Sequence, residues 1–87
     1  MELVITTNPT PECYLISVTG EVDISNASKL RDAIDFALEQ PTEEVKLDFA
    51  EVSYIDSTGI GVLVGAAHHA EEHGKRFVAV NAQPGVL

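Results

Sequence analysis

The chain has no tryptophan, one cysteine, and five lysines and arginines against fourteen aspartates and glutamates in 87 residues. Each scarcity excludes something. A single Cys13 forbids an internal disulfide, which suits a reducing compartment. The cations Lys29, Arg31, Lys46, Lys75 and Arg76 are scattered, and a formal charge of −9 removes the phosphate contacts on which nucleic-acid affinity rests. An acidic surface instead suits a basic protein partner or simply solubility. No apolar run approaches the ~20 residues of a membrane helix; the longest, 59–67, gives way to His68 and His69. The opening Met1-Glu2-Leu3-Val4 lacks the basic segment and apolar stretch of a signal peptide. The expectation is a cytoplasmic protein with no direct nucleic-acid contact and no membrane insertion.

What is present reads as one folded unit over residues 1–87, with no repeat, linker or low-complexity tract. Leu3 to Thr7 and Cys13 to Thr19 are β-rich runs around the turn-forming Asn8-Pro9-Thr10-Pro11-Glu12, which predicts an antiparallel hairpin. Ser25 or Asn26 can cap a first helix. Ala27, Leu30, Ala33, Ile34, Ala37 and Leu38 carry its apolar stripe, which ends before Pro41. Val45 to Phe49 alternates as a strand, and Val52 to Ile55 continues it as an extended or bent exit. A second helix starts at Ser57, with Ile60, Leu63, Val64 and Ala67 expected to face the sheet. Gly61 and Gly65 each cost ~1 kcal/mol in a helix interior, so a close neighbour is expected there. Gly74 ends this helix, and Phe77 to Val80 forms a last strand.

The order strand, strand, helix, strand, helix, strand predicts an α/β fold. Two right-handed crossovers place both helices on one face of a four-stranded mixed sheet. Helix starts then fall at the C-terminal edge of the parallel strands, where open α/β sheets place their sites. This brings Asp23 near Asp56 and Ser57.

Asp56-Ser57-Thr58-Gly59 is therefore the candidate site. Asp and Ser are also ordinary helix caps, but here they follow a strand directly, and Thr58-Gly59 leaves the serine hydroxyl little cover. A helix start also favours a phosphate. Catalytic readings fail: Thr58 stands where an aspartic protease motif needs glycine, and Ile55 where a nucleophile elbow needs one. His69-Ala70-Glu71-Glu72-His73 spells a zinc pattern, yet residues 74–87 offer no third ligand; a solvated helix end is expected, with no metal and no cofactor. Cys13 reads as an apolar strand residue.

Gly20-Glu21-Val22-Asp23, the amphipathic helix, Leu47-Asp48-Phe49 and Tyr54-Ile55-Asp56-Ser57-Thr58-Gly59-Ile60-Gly61-Val62-Leu63 together resemble the STAS domain. More narrowly, the chain resembles bacterial anti-sigma factor antagonists built from that domain alone, over about residues 3–84. The resemblance implies partner switching. The unmodified antagonist binds an anti-sigma factor that is also a serine kinase and so frees the sigma factor. Phosphorylation of the serine matching Ser57 dissociates the complex, and a PPM-type phosphatase restores the active form. Asp23 and Asp56 match acidic positions flanking the family's phosphorylation site, Thr58 its neighbouring hydroxyl, and Gly59 completes the partner-binding segment. On this reading the chain is a phosphoprotein in transcription regulation and no enzyme. A rival within the same fold is a STAS subunit of a membrane lipid or anion transport system, with no serine switch. Family members usually continue into a further helix where this sequence stops, at Pro84-Gly85-Val86-Leu87. A C-terminally truncated domain is the corresponding expectation, with the uncovered apolar surface exposed, shortened with its partners, or buried in a homodimer.

Overall fold

A computed structural model of the chain describes residues 3–81. The expected lack of the family's C-terminal helix concerns residues outside that range. The elements are β1 (Val4–Pro9), β2 (Cys13–Val22), α1 (Ala27–Leu38), β3 (Glu44–Ile55), α2 (Ser57–Glu72) and β4 (Arg76–Val80). They build the α/β arrangement expected from the sequence, a four-stranded mixed sheet in the order β1-β2-β3-β4. β1 runs antiparallel to β2, while β2, β3 and β4 are mutually parallel.

Alternation along the strands decides which face is covered. Tyr14, Ile16, Val18 and Val22 of β2 and Val45, Leu47 and Phe49 of β3 are buried, and side chains two apart share a face. Both helices pack on this face, α1 through Ala27, Leu30, Ile34, Ala37 and Leu38 and α2 through Gly59, Ala66 and Ala70. Full burial of each branched or aromatic side chain contributes roughly 1.5–3 kcal/mol, so this single layer between helices and sheet carries the stability.

Two details sharpen the sequence reading. Of the two exits left open for the third strand, the extended one is found: it runs unbroken from Glu44 to Ile55, absorbing two register shifts against β2. One shift lies between Gly20 and Glu21, where Gly20 adopts φ 111°, a conformation that side chains disfavour. The second detail is the rotation of α2. Leu63 packs against the core as expected, but Ile60, Val64 and Ala67 are exposed, so most of the expected sheet-facing stripe lies on the helix flank. At ~100° per residue, it sits on the flank away from Thr58, Gly61 and Gly65, which line a groove facing Arg31, Ile34 and Asp35 of α1. Nothing lies within 4 Å of where a Cβ would stand at Gly61 or Gly65. Within the described residues, no close neighbour explains those two glycines.

Candidate functional site

The last paired residues of the central strands are Val22 and Ile55. Asp23 and Asp56 follow them directly, so the chain leaves the sheet twice at one edge, as the topology predicts. Asp56 caps α2 from an extended conformation, its Oδ1 accepting the Gly59 amide at 3.0 Å. Its Oδ2 accepts the amide of Ile24 at 3.2 Å, and its own amide donates to the Val22 carbonyl at 3.1 Å. One aspartate thus starts the helix and ties the two loops together.

The other loop is knitted from its own side chains. Asp23 Oδ1 accepts from the amide and the hydroxyl of Ser25, at 2.9 and 2.5 Å. These bonds, the hydroxyl's first, hold the Asp23 carboxyl below the usual carboxylate range. Asn26 is the N-cap residue of α1 by position, but its side chain makes no cap bond. Its Oδ1 instead accepts the Asp23 amide at 2.9 Å, and its Nδ2 donates to the Glu21 carbonyl at 2.8 Å. Asn26, one of the two caps the sequence offered, therefore holds the cap position, while its side chain and that of Ser25 shape the loop. Their polar pattern fits either bonding role.

Gly59 is required by packing. A Cβ there would stand 2.6 Å from Ile55 Cγ1 and 2.8 Å from Val22 Cγ1. The first turn of α2 rests directly on the last side chains of β2 and β3. Ser57 and Thr58 lie on the other side of that turn and are exposed. Among the described residues the Ser57 hydroxyl takes no hydrogen bond. The structure therefore brings Asp23, Asp56, Ser57, Thr58 and Gly59 to one edge, but in unequal roles. The two aspartates and the glycine build the platform, and the serine stands on it.

Ile24 and Tyr54, given no role from the sequence, and Ile60, expected to face the sheet, border the edge. Ile24 is 80% exposed, Tyr54 50% and Ile60 37%. Ile24 thus lies outside the core, in a loop held by five hydrogen bonds that involve Asp23, Asn26 and Asp56.

Across the length of the chain, residues 5–87 match the family model described as Mlab, STAS domain. The chain belongs to the STAS domain family. It is 32% identical over 77 residues to an anti-sigma-B factor antagonist of Staphylococcus epidermidis, covering 88% of this chain and 71% of that one. It is 43% identical over 51 residues to the anti-sigma-B factor antagonist of Listeria monocytogenes, covering 59% of this chain and 45% of the relative. Aligned positions thus span about half the length of the Listeria relative. Its fold matches the anti-sigma factor antagonist SpoIIAA in its unphosphorylated form with a TM-score of 0.81 and 26% identity, over 95% of this chain and 74% of that one. The phosphorylated form of SpoIIAA from Bacillus matches at 0.77 and 25% identity, over 93% and 75%.

Within this STAS domain the remaining candidates are placed as follows. The end of α2 is solvated at His68, Glu71, Glu72 and His73, as expected, but His69 in its last turn is half-buried: its Nδ1 lies 3.2 Å from Asp35 Oδ1 on α1, with the His73 ring centroid 4.6 Å from its own. Among the described residues no group of three or more ligating side chains could hold a metal ion. Cys13 is partly buried in β2, and desolvation followed by the nearby Glu44 pushes its thiol up, away from the reactive thiolate. Among the described residues no helix is long and apolar enough to cross a membrane.

Proposed function

We propose that this STAS domain is an anti-sigma factor antagonist whose binding to an anti-sigma factor kinase is switched off by phosphorylation of Ser57. The observation that carries the reading is the contrast at α2's start: Asp56 and Gly59 are fixed by hydrogen bonding and packing, while the Ser57 hydroxyl beside them is exposed and uncommitted. The names of the relatives supply the partner class.

The chemistry follows from the charge. A phosphoryl group adds about −1.5 to −2 at neutral pH. Here it arrives beside two carboxylates, on a chain already at −9. Ile24, Tyr54 and Ile60 form the apolar part of the docking surface around the serine. A partner that desolvates this edge tolerates a neutral hydroxyl and rejects a dianion, since a buried unpaired charge is costly. The reaction itself belongs to a serine kinase acting on the Ser57 Oγ, and its reversal to a PPM-type phosphatase. This chain is their substrate and supplies no catalytic group.

Incubation with the cognate anti-sigma kinase and ATP, followed by mass spectrometry, tests the switch. The expected result is a single phosphate on Ser57, and loss of kinase binding by Ser57→Asp. An unmodified Ser57, or a Ser57→Asp variant that binds as the parent does, overturns the proposal.

A further inference from the structure

The sheet ends at β1, which pairs with β2 on one side and lies at the end of the strand order on the other. The backbone N–H and C=O groups turned away from β2 form an open row, the template on which another strand can add. Edges of this kind are guarded in most proteins by charge, by a bulge or by proline. The opposite edge follows that rule: β4 opens on Arg76, which follows Lys75 and pairs with Glu44 at 3.4 Å.

β1 lacks each guard. Residues 3–11 carry no charged side chain, and neither do Tyr14 to Thr19 of β2 behind them. The ladder from Val4↔Thr19 to Pro9↔Tyr14 runs without a register shift, so no bulge turns the edge away. Pro9 stands only at the last position of the strand, and every other residue but Ile5 is exposed as well, Val4 to 49%. Val4, Ile5, Thr6 and Thr7 are all β-branched, the residue type that packs best across paired strands.

Charge distribution identifies the occupant. At −9, two copies of this chain repel one another over most approaches. The β1 edge and the strand behind it form a continuous uncharged surface where like copies meet without opposing acids. A foreign strand added to an edge gains its specificity from pockets for alternate side chains. The short side chains of Thr6, Thr7 and Asn8 offer a flat row instead, and a flat row is complemented by itself. We infer that β1 is a self-association edge, which pairs antiparallel with β1 of a second copy about a two-fold axis.

The register follows from the pleat. Antiparallel partners share a face, so an axis at Thr6 sets Thr6 against Thr6, Ile5 against Thr7 and Val4 against Asn8. An axis at Thr7 would set Pro9, which has no amide to donate, against Ile5. Threonine pairs and β-branched pairs are favourable across strands. The two four-stranded sheets then join into one, with the helices of both copies on the same face. Because the strands reverse direction at the axis, the two Ser57 edges lie at opposite ends and both stay open. Pairing of residues 4–8 alone buries less than the roughly 1,200 Å² of a stable interface, so the dimer is weak, with Kd on the order of 0.1–1 mM.

The test is sedimentation equilibrium of the full chain from about 10 μM to about 2 mM, with the contact mapped by NMR. A monomer–dimer equilibrium is expected, tightened at least about threefold by raising salt, which screens the repulsion between copies. In a mixture of labelled and unlabelled chain, intermolecular NOEs are expected between Val4 and Asn8. Thr6→Lys, at an exposed position, brings two ammonium groups together at the axis and is expected to weaken the dimer at least about tenfold. Net charge alone predicts the opposite, since this substitution makes the chain less acidic. A monomer throughout the range overturns the inference, as does a dimer that Thr6→Lys leaves unchanged or strengthens. Intermolecular NOEs confined to residues outside β1 overturn it without recourse to any variant.

Discussion

Asp56 accepts the backbone amide of Ile24 across 32 positions of sequence, with the carboxylate that also caps α2. The two loops at the Ser57 edge are therefore one structural object, and their stability and their surface chemistry can be separated by mutation.

Asp56→Ala removes a helix cap and the inter-loop bond together. A cap is worth ~1 kcal/mol and the inter-loop hydrogen bond, at an exposed position, about 0.5–1.5 kcal/mol. Chemical denaturation should show a loss of about 1–3 kcal/mol. Asp56→Asn, which keeps an acceptor oxygen for one of the two amides, should lose less.

Ser57→Ala is expected to leave stability within about 0.5 kcal/mol of the parent, as for exposed residues without partners. Thermal unfolding checks this, and a large drop would show that the hydroxyl has a structural task.

The glycines of α2 should respond in opposite directions. Gly59→Ala drives a methyl group into Ile55 and Val22, an overpacking that costs typically 1–3 kcal/mol, less the ~1 kcal/mol gained in helix propensity. Gly61→Ala and Gly65→Ala meet open space and should each stabilise by up to ~1 kcal/mol. Denaturation midpoints of the three variants provide the comparison.

Acid should weaken the fold through Asp23 and Asp48. Both carboxyls sit below their ordinary range when folded, Asp23 through the Ser25 bonds and Asp48 through the Ala50 amide and the Asn81 side chain. A group lowered in the folded state adds stability above its unfolded pKa, about 3.9, and loses it as pH falls through the folded value. Ser25→Ala should move the Asp23 midpoint up toward the unfolded one in an NMR titration. Asn81→Ala should do the same for Asp48.

Ile24→Ser and Tyr54→Ser should fold as the parent does, since both side chains are half or more exposed. If the Ser57 edge is the partner surface, each should weaken binding to the anti-sigma factor by tenfold or more, as apolar anchors at interfaces do. Calorimetric titration with the purified partner measures the effect.

Most of the frame was legible before any coordinates. Pro41 and Gly74 bounded the helices, strand alternation gave the covered face, and the element order placed Asp23 and Asp56 at one edge. The rotation of α2 was not legible for a physical reason. Its buried side is Gly59, Ala66 and Ala70, too small to outweigh Ile60 and Val64 in any hydrophobic pattern, because the helix lies close on the sheet. The knitting of residues 21–26 was equally hidden, since Ser and Asn serve caps and loop bonds with the same atoms. Ile24 gave no signal either: an isolated apolar residue in a loop is common, and only its fixed surroundings give it meaning.

The uncommitted hydroxyl on a fully committed platform has a consequence for timing. No bond must break inside the chain, and no segment must rearrange, for a change at Ser57 Oγ to be felt by whatever touches it. If Ser57 is the switch proposed above, the domain acts as a token whose message is carried on the face it presents. Any delay in the response then arises in the partner's departure and in the enzymes that write and erase the mark.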